Sequence, residues 1–262
     1  MNTINPFKKV VLIGAGNVAT HLGIALKNID CQIIQVYSRT MESAKSLAAL
    51  LNSQATCDLR ELCQEADLYI ISVSDSAVEN IVSQIHLTQG TVVHTSGSLA
   101  MDILATTSND YGVIYIPQTF VKEVPLNYKD LHFFIEASNE KVQKKLFSFA
   151  KQISEQVTFA KAEQRYALHL AAVMVSNFTN CLYALANEIL SKENISLSVL
   201  QPLIIETAQK PEYGNPKLLQ TGPAKRKDEE IIQKHLELLK SNRDWSDLYS
   251  LFTRIIQKEE EL

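Results

Sequence analysis

The chain has 262 residues, 46% hydrophobic and 21% charged, with a formal net charge of −4. Such a composition describes a globular protein with a sizeable core, between one large domain and two modest ones in length, and it offers no basic field of the kind nucleic-acid binders use. No apolar run approaches the roughly 20 residues that span a bilayer, and the start MNTINPFKK lacks the apolar stretch of a secretory signal, so the expectation is a cytoplasmic protein whose partners are neither nucleic acid nor membrane.

Short β-branched runs alternate with helical patterns through the first part: KVVLI, then NVATHLGIALKN, QIIQVY, TMESAKSLAALLN, DLYIISV and TVVHT. This alternation implies parallel strands joined by right-handed crossovers, with both faces of the sheet covered. Thr40 fits the N-cap of the second helix, with Glu42 in its first turn. Further strands are expected at GVIYI and LHFFIEA, a closing helix at NEKVQKKLFSFAKQIS and a last short strand at QVTFA.

After residue 161 strand signals stop, which divides the chain into a dinucleotide-binding domain, 1–161, and a helical substrate and dimerisation domain, 162–262. Ala162 to Leu190 contains neither Gly nor Pro and is apolar on nearly every side in its middle. A helix of ~28 residues spans roughly 40 Å, and all-round apolarity implies burial on all sides, hence a homodimer interface through this domain. SLSVLQPLIIETAQK follows as a helix stopped by Pro211. Next comes a loop region, PEYGNPKLLQTGPAKRK, and then DEEIIQKHLELLK, amphipathic through Ile232, Leu236 and Leu239. Cys31, Cys57, Cys63 and Cys181 form no CxxC pair, so no metal site is expected and they read as free thiols, mostly core filler.

Gly14-x-Gly16-x-x-Ala19 stands at the first strand-to-helix junction and has the dinucleotide spacing. Gly14 allows the tight turn, Gly16 lets backbone approach a pyrophosphate, and Ala19 keeps helix and strand close. The following N–H groups, from Asn17 and Val18 on, add the positive end of the helix. About 20 positions later, where NAD binders place an acid for the ribose, the second strand ends in Ser38-Arg39-Thr40. A guanidinium suits a 2′-phosphate, so the expected cofactor is NADP; the missing acid also argues against an S-adenosylmethionine methyltransferase.

Later strand ends carry Ser72, Val73 and Ser74 and the HTSGS stretch with Ser96, hydroxyl-rich loops that either line a cofactor or cap helices. The whole chain, through HTSGS, IPQTF, HLAAVMVSNFTNCLYALANEIL and QTGPAKRKD, resembles a group of NADP oxidoreductases whose helical C-terminal domain has no assigned function. Its N-terminal part is similar to pyrroline-5-carboxylate reductase and deazaflavin-dependent NADP reductase. The resemblance implies a doubly wound Rossmann sheet, an α/β fold, followed by an all-helical domain like that of 6-phosphogluconate dehydrogenase, often dimeric.

Hydride transfer to C=O or C=N needs a proton donor or a hydrogen bond opposite the nicotinamide. His169, Ser176 and Asn180 stand at i, i+7 and i+11 of the long helix, with Asn177 beside them. Either His169 acts as general acid, with Asn177 or Asn180 bonding the substrate carbonyl or the carboxamide, or these are satisfied core and interface groups. Related β-hydroxyacid dehydrogenases carry a catalytic Lys on this helix; none lies between Lys161 and Lys192. His94, Gln118, Thr119, Lys225 and Arg226 are lesser candidates. The expected function is reduction of a small ketone, imine or 2-oxo acid with NADP; the rival is a non-catalytic NADP-binding sensor.

Overall fold

A computed structural model of the protein describes residues 5–258. Eight strands, β1 (Lys9–Ile13), β2 (Gln32–Tyr37), β3 (Gln54–Thr56), β4 (Leu68–Ile71), β5 (Thr91–His94), β6 (Tyr111–Tyr115), β7 (His132–Ala137) and β8 (Gln156–Phe159), form one sheet. Its order is β3-β2-β1-β4-β5-β6-β7-β8. Helices α1 (Asn17–Lys27), α2 (Met41–Leu51), α3 (Asp75–Val82) and α4 (Glu140–Ile153) connect them. The chain starts in mid-sheet, builds outward through β2 and β3, then returns to the other side of β1 with β4. The order therefore reverses between β1 and β4, and such switch points open a crevice at the carboxyl ends of the strands.

Burial follows the pleat. On β1, Val10 and Leu12 face one core cluster with α1, α2 and α4, while Val11 and Ile13 face a second with Val78, Ile81 and Leu104; all four are fully buried. A strand covered on both faces has no polar alternation, which is why KVVLI reads as continuous apolar sequence.

One expected feature differs. β7 runs antiparallel to β6, with Gly112 opposite Ala137 and Tyr115 opposite Phe134. A parallel return needs a crossover, commonly helical, and the connection 116–131 holds only the 3-10 turn Tyr128–Asp130. β8 then pairs parallel to β7 after α4.

The long helical run starts as α5 (Ala162–Ala172), widens into a π-helical turn at Val173–Phe178 and continues as α6 (Thr179–Ser191). By internal contacts the chain forms two compact units, Met1–Leu182 and Tyr183–Leu262. Arg165 on α5 is fully buried and is a polar anchor of the first unit. Its Nε and Nη2 donate to Glu136 Oε2 on β7 at 3.1 and 2.7 Å, and Nη1 and Nη2 donate to the carbonyls of Ser96 and Leu99 at 3.1 and 3.0 Å.

The expectation that no apolar run reaches membrane length is corrected. Ala162–Ser191 is a 30-residue helix with a window of mean hydropathy 1.3, long and apolar enough to cross a membrane by length and composition. Its uninterrupted apolar runs are short because neutral polar residues such as Ser176 and Asn177 interrupt the helix without adding charge. Burial on all sides is also absent within one chain: Tyr166, Leu170, Met174, Val175 and Phe178 are each more than half exposed.

The second unit contains α7 (Gln201–Tyr213), α8 (Glu229–Leu239) and α9 (Arg243–Lys258). α8 and α9 are clasped by His235 Nδ1 and the Tyr249 hydroxyl at 2.8 Å. Pro211 lies inside α7 rather than ending it; lacking an N–H it cannot bond back to the Thr207 carbonyl, and the helix ends three residues later at Gly214, φ +145°. Of the cysteines, all free, only Cys31 is buried; Cys57 and Cys181 are exposed. Core filler therefore describes Cys31 and, in part, Cys63, which is half-buried against the second core cluster.

Candidate functional site

The crevice at the carboxyl ends of the strands is a cleft of about 1240 Å³ within the first unit. It exceeds the roughly 300–1,000 Å³ that holds a drug-sized ligand, which leaves room for a dinucleotide and a small substrate. Gly14, Gly16, Asn17, Val18, Ser38, Arg39, Thr40, Ser72, Val73, Ser74, Ser96, His169 and Asn177 all line it. Ala19 does not: it is fully buried and sets the closeness of α1 to the sheet.

The glycine turn has the shape that a phosphate requires. Gly14 has φ +125°, donates to the Tyr37 carbonyl at 2.8 Å, and sits so close to the Ser72 carbonyl that a Cβ would collide with it. Gly16 caps α1, and a Cβ there would meet nothing within 4 Å, so the space over it is open. The first N–H groups of a helix have no intrahelical acceptor, and the first turn of α1 carries no acid to occupy them. These features fit a pyrophosphate. A strap from the β6–β7 connection borders the turn: Asn17 Nδ2 donates to the Phe120 carbonyl at 2.8 Å and Lys122 Nζ to that of Ala15 at 3.0 Å.

Beyond β2, the Thr40 side chain accepts from the Ser43 N–H and caps α2. Arg39 beside it is exposed. Two residues the sequence reading passed over line the same rim, Asp58 and Arg60. The carboxylate missing from the end of β2 thus appears after β3, a strand of three residues, too short to leave a sequence signal. It is engaged, however: the Arg60 guanidinium forks onto it, Nε at 3.0 Å and Nη2 at 2.6 Å, and these hydrogen bonds hold its pKa down at about 2.

At the other end, Gly97 admits a close approach of two side chains. A Cβ on it would stand 2.8 Å from the Tyr115 ring and 2.9 Å from His169 Cβ. The Tyr115 hydroxyl lies 3.4 Å from His169 Nδ1, with the rings edge to face. Tyr115 is buried, and burial pushes its hydroxyl pKa up, so it keeps its proton. Sequence reading missed this tyrosine because an aromatic in a strand is ordinary; the available signal was its position as the last residue of β6, at the ligand edge. Ser96 Oγ accepts from the N–H groups of Ser98 and Leu99, both 3.0 Å, so it shapes its own loop as well as lining the cleft. Thr119 and Ser176 hydroxyls meet at 2.5 Å across the wall.

Two other residues lie elsewhere. Asn180 is exposed and is not among the residues of the cleft wall. His94, fully buried, accepts from the Ser96 N–H through Nδ1 and is outside that wall too. Burial first, then the Arg165 charge, lowers its pKa to about 4, which keeps it neutral. Among the described residues no group of three or more His, Cys, Asp or Glu is placed to hold a metal ion. The cleft thus combines a phosphate cradle, a cationic rim and, at its far end, the protonated Tyr115 hydroxyl beside the His169 imidazole, groups able to exchange a proton with a polar ligand.

Residues 2–117 match a Rossmann-like domain model and residues 131–256 match a domain of unknown function, DUF2520. No curated protein matches the chain. Among solved structures, a Bacteroides fragilis protein described as a "putative NADP oxidoreductase" superposes with TM-score 0.90 at 44% identity, covering 96% of this chain and 98% of that one. The reductive aminase of Aspergillus terreus, solved with NADPH and ethyl levulinate, gives TM-score 0.71 at 14% identity over 96% and 94%. The 1-pyrroline-5-carboxylate reductase of Streptococcus pyogenes gives 0.63 at 14% over 97% and 99%. These last two show a shared fold. With the Bacteroides protein nearly half identical over almost its full length, and with both domain models matched in order, the chain belongs to the family that joins a Rossmann-like domain to a DUF2520 helical domain.

Proposed function

We propose that the protein is an NADP-dependent oxidoreductase that reduces a small C=O or C=N compound, a ketone, an imine or a 2-oxo acid. The observation that carries this reading is one continuous cleft that begins at the phosphate-shaped glycine turn and ends at Tyr115 and His169. When bound, the nicotinamide supplies the hydride. The remaining tasks belong to this chain's side chains. Gly14, Gly16 and the start of α1 hold the pyrophosphate, and Arg39 the 2′-phosphate. Tyr115, protonated in the neutral range, is placed to give its proton to the substrate oxygen or nitrogen, while His169 Nδ1 orients the hydroxyl. The names of the Bacteroides, Aspergillus and Streptococcus relatives support the cofactor and the carbonyl or imine class. In a non-catalytic sensor the far end of the cleft would be blocked or apolar, and the hydroxyls of Tyr115, Ser96 and Thr119 with His169 weigh against that. Dependence on free NADPH would place the enzyme in the cytoplasm.

The proposal includes a second copy of the chain. The described part of the second unit has only Ala224 and Ile232 among its buried hydrophobic residues, while Val199, Leu203, Tyr213 and Leu238 are more than half exposed. A helical unit with so little core needs a partner surface. Together with the exposed apolar face of the Ala162–Ser191 helix, this supports a homodimer built through the helical domain.

The test is a calorimetric titration of NADPH and NADH into the wild type and Arg39→Ala. Expected are micromolar NADPH binding, weak NADH binding, and a loss of about 1.5–3 kcal/mol for NADPH in the variant, the range for a hydrogen bond to a charged group. If neither nucleotide binds, the oxidoreductase reading fails.

A further inference from the structure

We infer that Arg60 is a second anion-binding side chain of the cleft, held on Asp58 in the free protein and turned onto the 2′-phosphate of the adenosine when the nucleotide binds. The inference rests on the dinucleotide reading above and adds to it a residue from the 3-10 turn, Leu59–Glu61, that follows a different strand.

The register of the sheet brings Arg39 level with Asp58, the residue that holds Arg60. β2 and β3 pair in parallel with Tyr37 opposite Thr56, and the Ser38 N–H donates to the Thr56 carbonyl at 3.2 Å. Neighbouring strands lie roughly 4.8 Å apart. Arg39 stands two residues past its paired strand end and Asp58 two past the neighbouring one, so both chains leave the sheet together onto one rim. Thr40 and Ser43, at the capped start of α2, line that rim with hydroxyls. A phosphate there would meet one cation from β2, two hydroxyls and a helix N-terminus, with Arg60 facing from the side.

The backbone carrying Arg60 is held by hydrogen bonds, while its side chain lies at the surface. Thr56 is buried and donates to Glu61 Oε2 at 2.7 Å, and it accepts from the Asp58 N–H at 3.1 Å. Asp58 in turn accepts from the Arg60 N–H at 2.9 Å. The Arg60 side chain itself is 87% exposed and its fork onto Asp58 is a surface ion pair. Such pairs are weak and screened, and a phosphate dianion is the stronger acceptor for a guanidinium fork. The Asp58 carboxylate meanwhile keeps the Arg60 N–H as a partner when the guanidinium leaves. Until then the pair is neutral as a whole, so the rim presents Arg39 as its net charge and discriminates 2′-phosphate from a bare ribose more strongly once Arg60 turns.

The rival role for this pair is that Asp58 accepts the ribose hydroxyls and Arg60 merely steadies it. Binding of the adenosine halves separates the two without any turnover. Full-length wild type, Asp58→Asn and Asp58→Asn/Arg60→Ala are titrated with 2′,5′-ADP and with 5′-AMP; asparagine keeps the turn capped. The inference expects Asp58→Asn to bind 2′,5′-ADP at least as tightly as wild type. It expects the double variant to bind it about 5- to 10-fold more weakly than Asp58→Asn, with 5′-AMP affinity equal in the two. Equal 2′,5′-ADP affinities of the single and double variants overturn it, as does a loss of 5′-AMP binding in Asp58→Asn. If wild type binds 2′,5′-ADP and Arg39→Ala weakens it while Arg60 is inert, only this inference falls; if wild type binds neither probe, the nucleotide reading falls with it.

Discussion

Arg165→Met should be among the most damaging substitutions outside the cleft, and its cost follows from the contacts of one buried guanidinium. Removing one member of a buried ion pair costs about 3–5 kcal/mol, because the other charge is left without compensation. Here the stranded group is Glu136, whose side chain is 20% exposed and can take up some water, which favours the lower end. The Ser96 and Leu99 carbonyls lose their donor as well, at roughly 1 kcal/mol each. A loss of about 5 kcal/mol is therefore expected in urea unfolding, read from the midpoint at unchanged slope. Arg165→Met/Glu136→Leu should recover much of it, since replacing both partners of a buried pair with apolar groups is often neutral. A single-variant loss below about 1 kcal/mol would refute the assignment of Arg165 as the anchor between α5, β7 and the Ser96–Leu99 loop.

The pKa of His94, about 4 against an ordinary 6.5, makes stability depend on pH. The folded state resists protonation, so stability is complete above pH 6.5 and declines as pH falls toward 4; the share lost between pH 7 and pH 5 is about 2 kcal/mol, and His94→Gln should abolish that slope in paired denaturation curves. Tyr115→Phe should lower turnover of any carbonyl or imine substrate by about 10²–10⁴-fold with NADPH affinity unchanged; turnover within threefold of wild type would exclude this hydroxyl as the proton source. Sedimentation equilibrium should find a dimer at micromolar concentration, and a monomer throughout would remove the second copy from the proposal.

What the sequence disclosed depended on how local the cause was. β1, β2 and the glycine turn are written in neighbouring residues, and the parallel start of the sheet follows from them. β3 is three residues long, so the rim it carries, Asp58 and Arg60, had no pattern to reveal it. The reversal at β7 depends on what the 116–131 connection lacks, a crossover helix, and Pro and Lys in that stretch mark a loop without giving its direction. Arg165 reads as a surface residue by type, because a fully buried arginine is rare; only the positions of Glu136 and two carbonyls from distant segments make it a core residue. The i, i+7, i+11 stripe failed at Asn180 because it assumed a uniform rotation of roughly 100° per residue, and the π turn between Val173 and Phe178 changes that rotation before Asn180 is reached.

That π turn also bears on how the protein can change by mutation. A widened turn inside a regular helix holds one residue more than the α ladder needs, so deleting a residue from Val173–Phe178 would leave a continuous α-helix with its hydrogen bonds intact. A codon-sized deletion there would be tolerated by folding where most would not, and it would still carry Asn177 and the residues up to Leu182 about 100° around the axis. Selection on stability alone gives no reason to retain the extra residue. Its persistence in a lineage would be a record of what the cleft wall is used for, legible as a length difference rather than as a substitution.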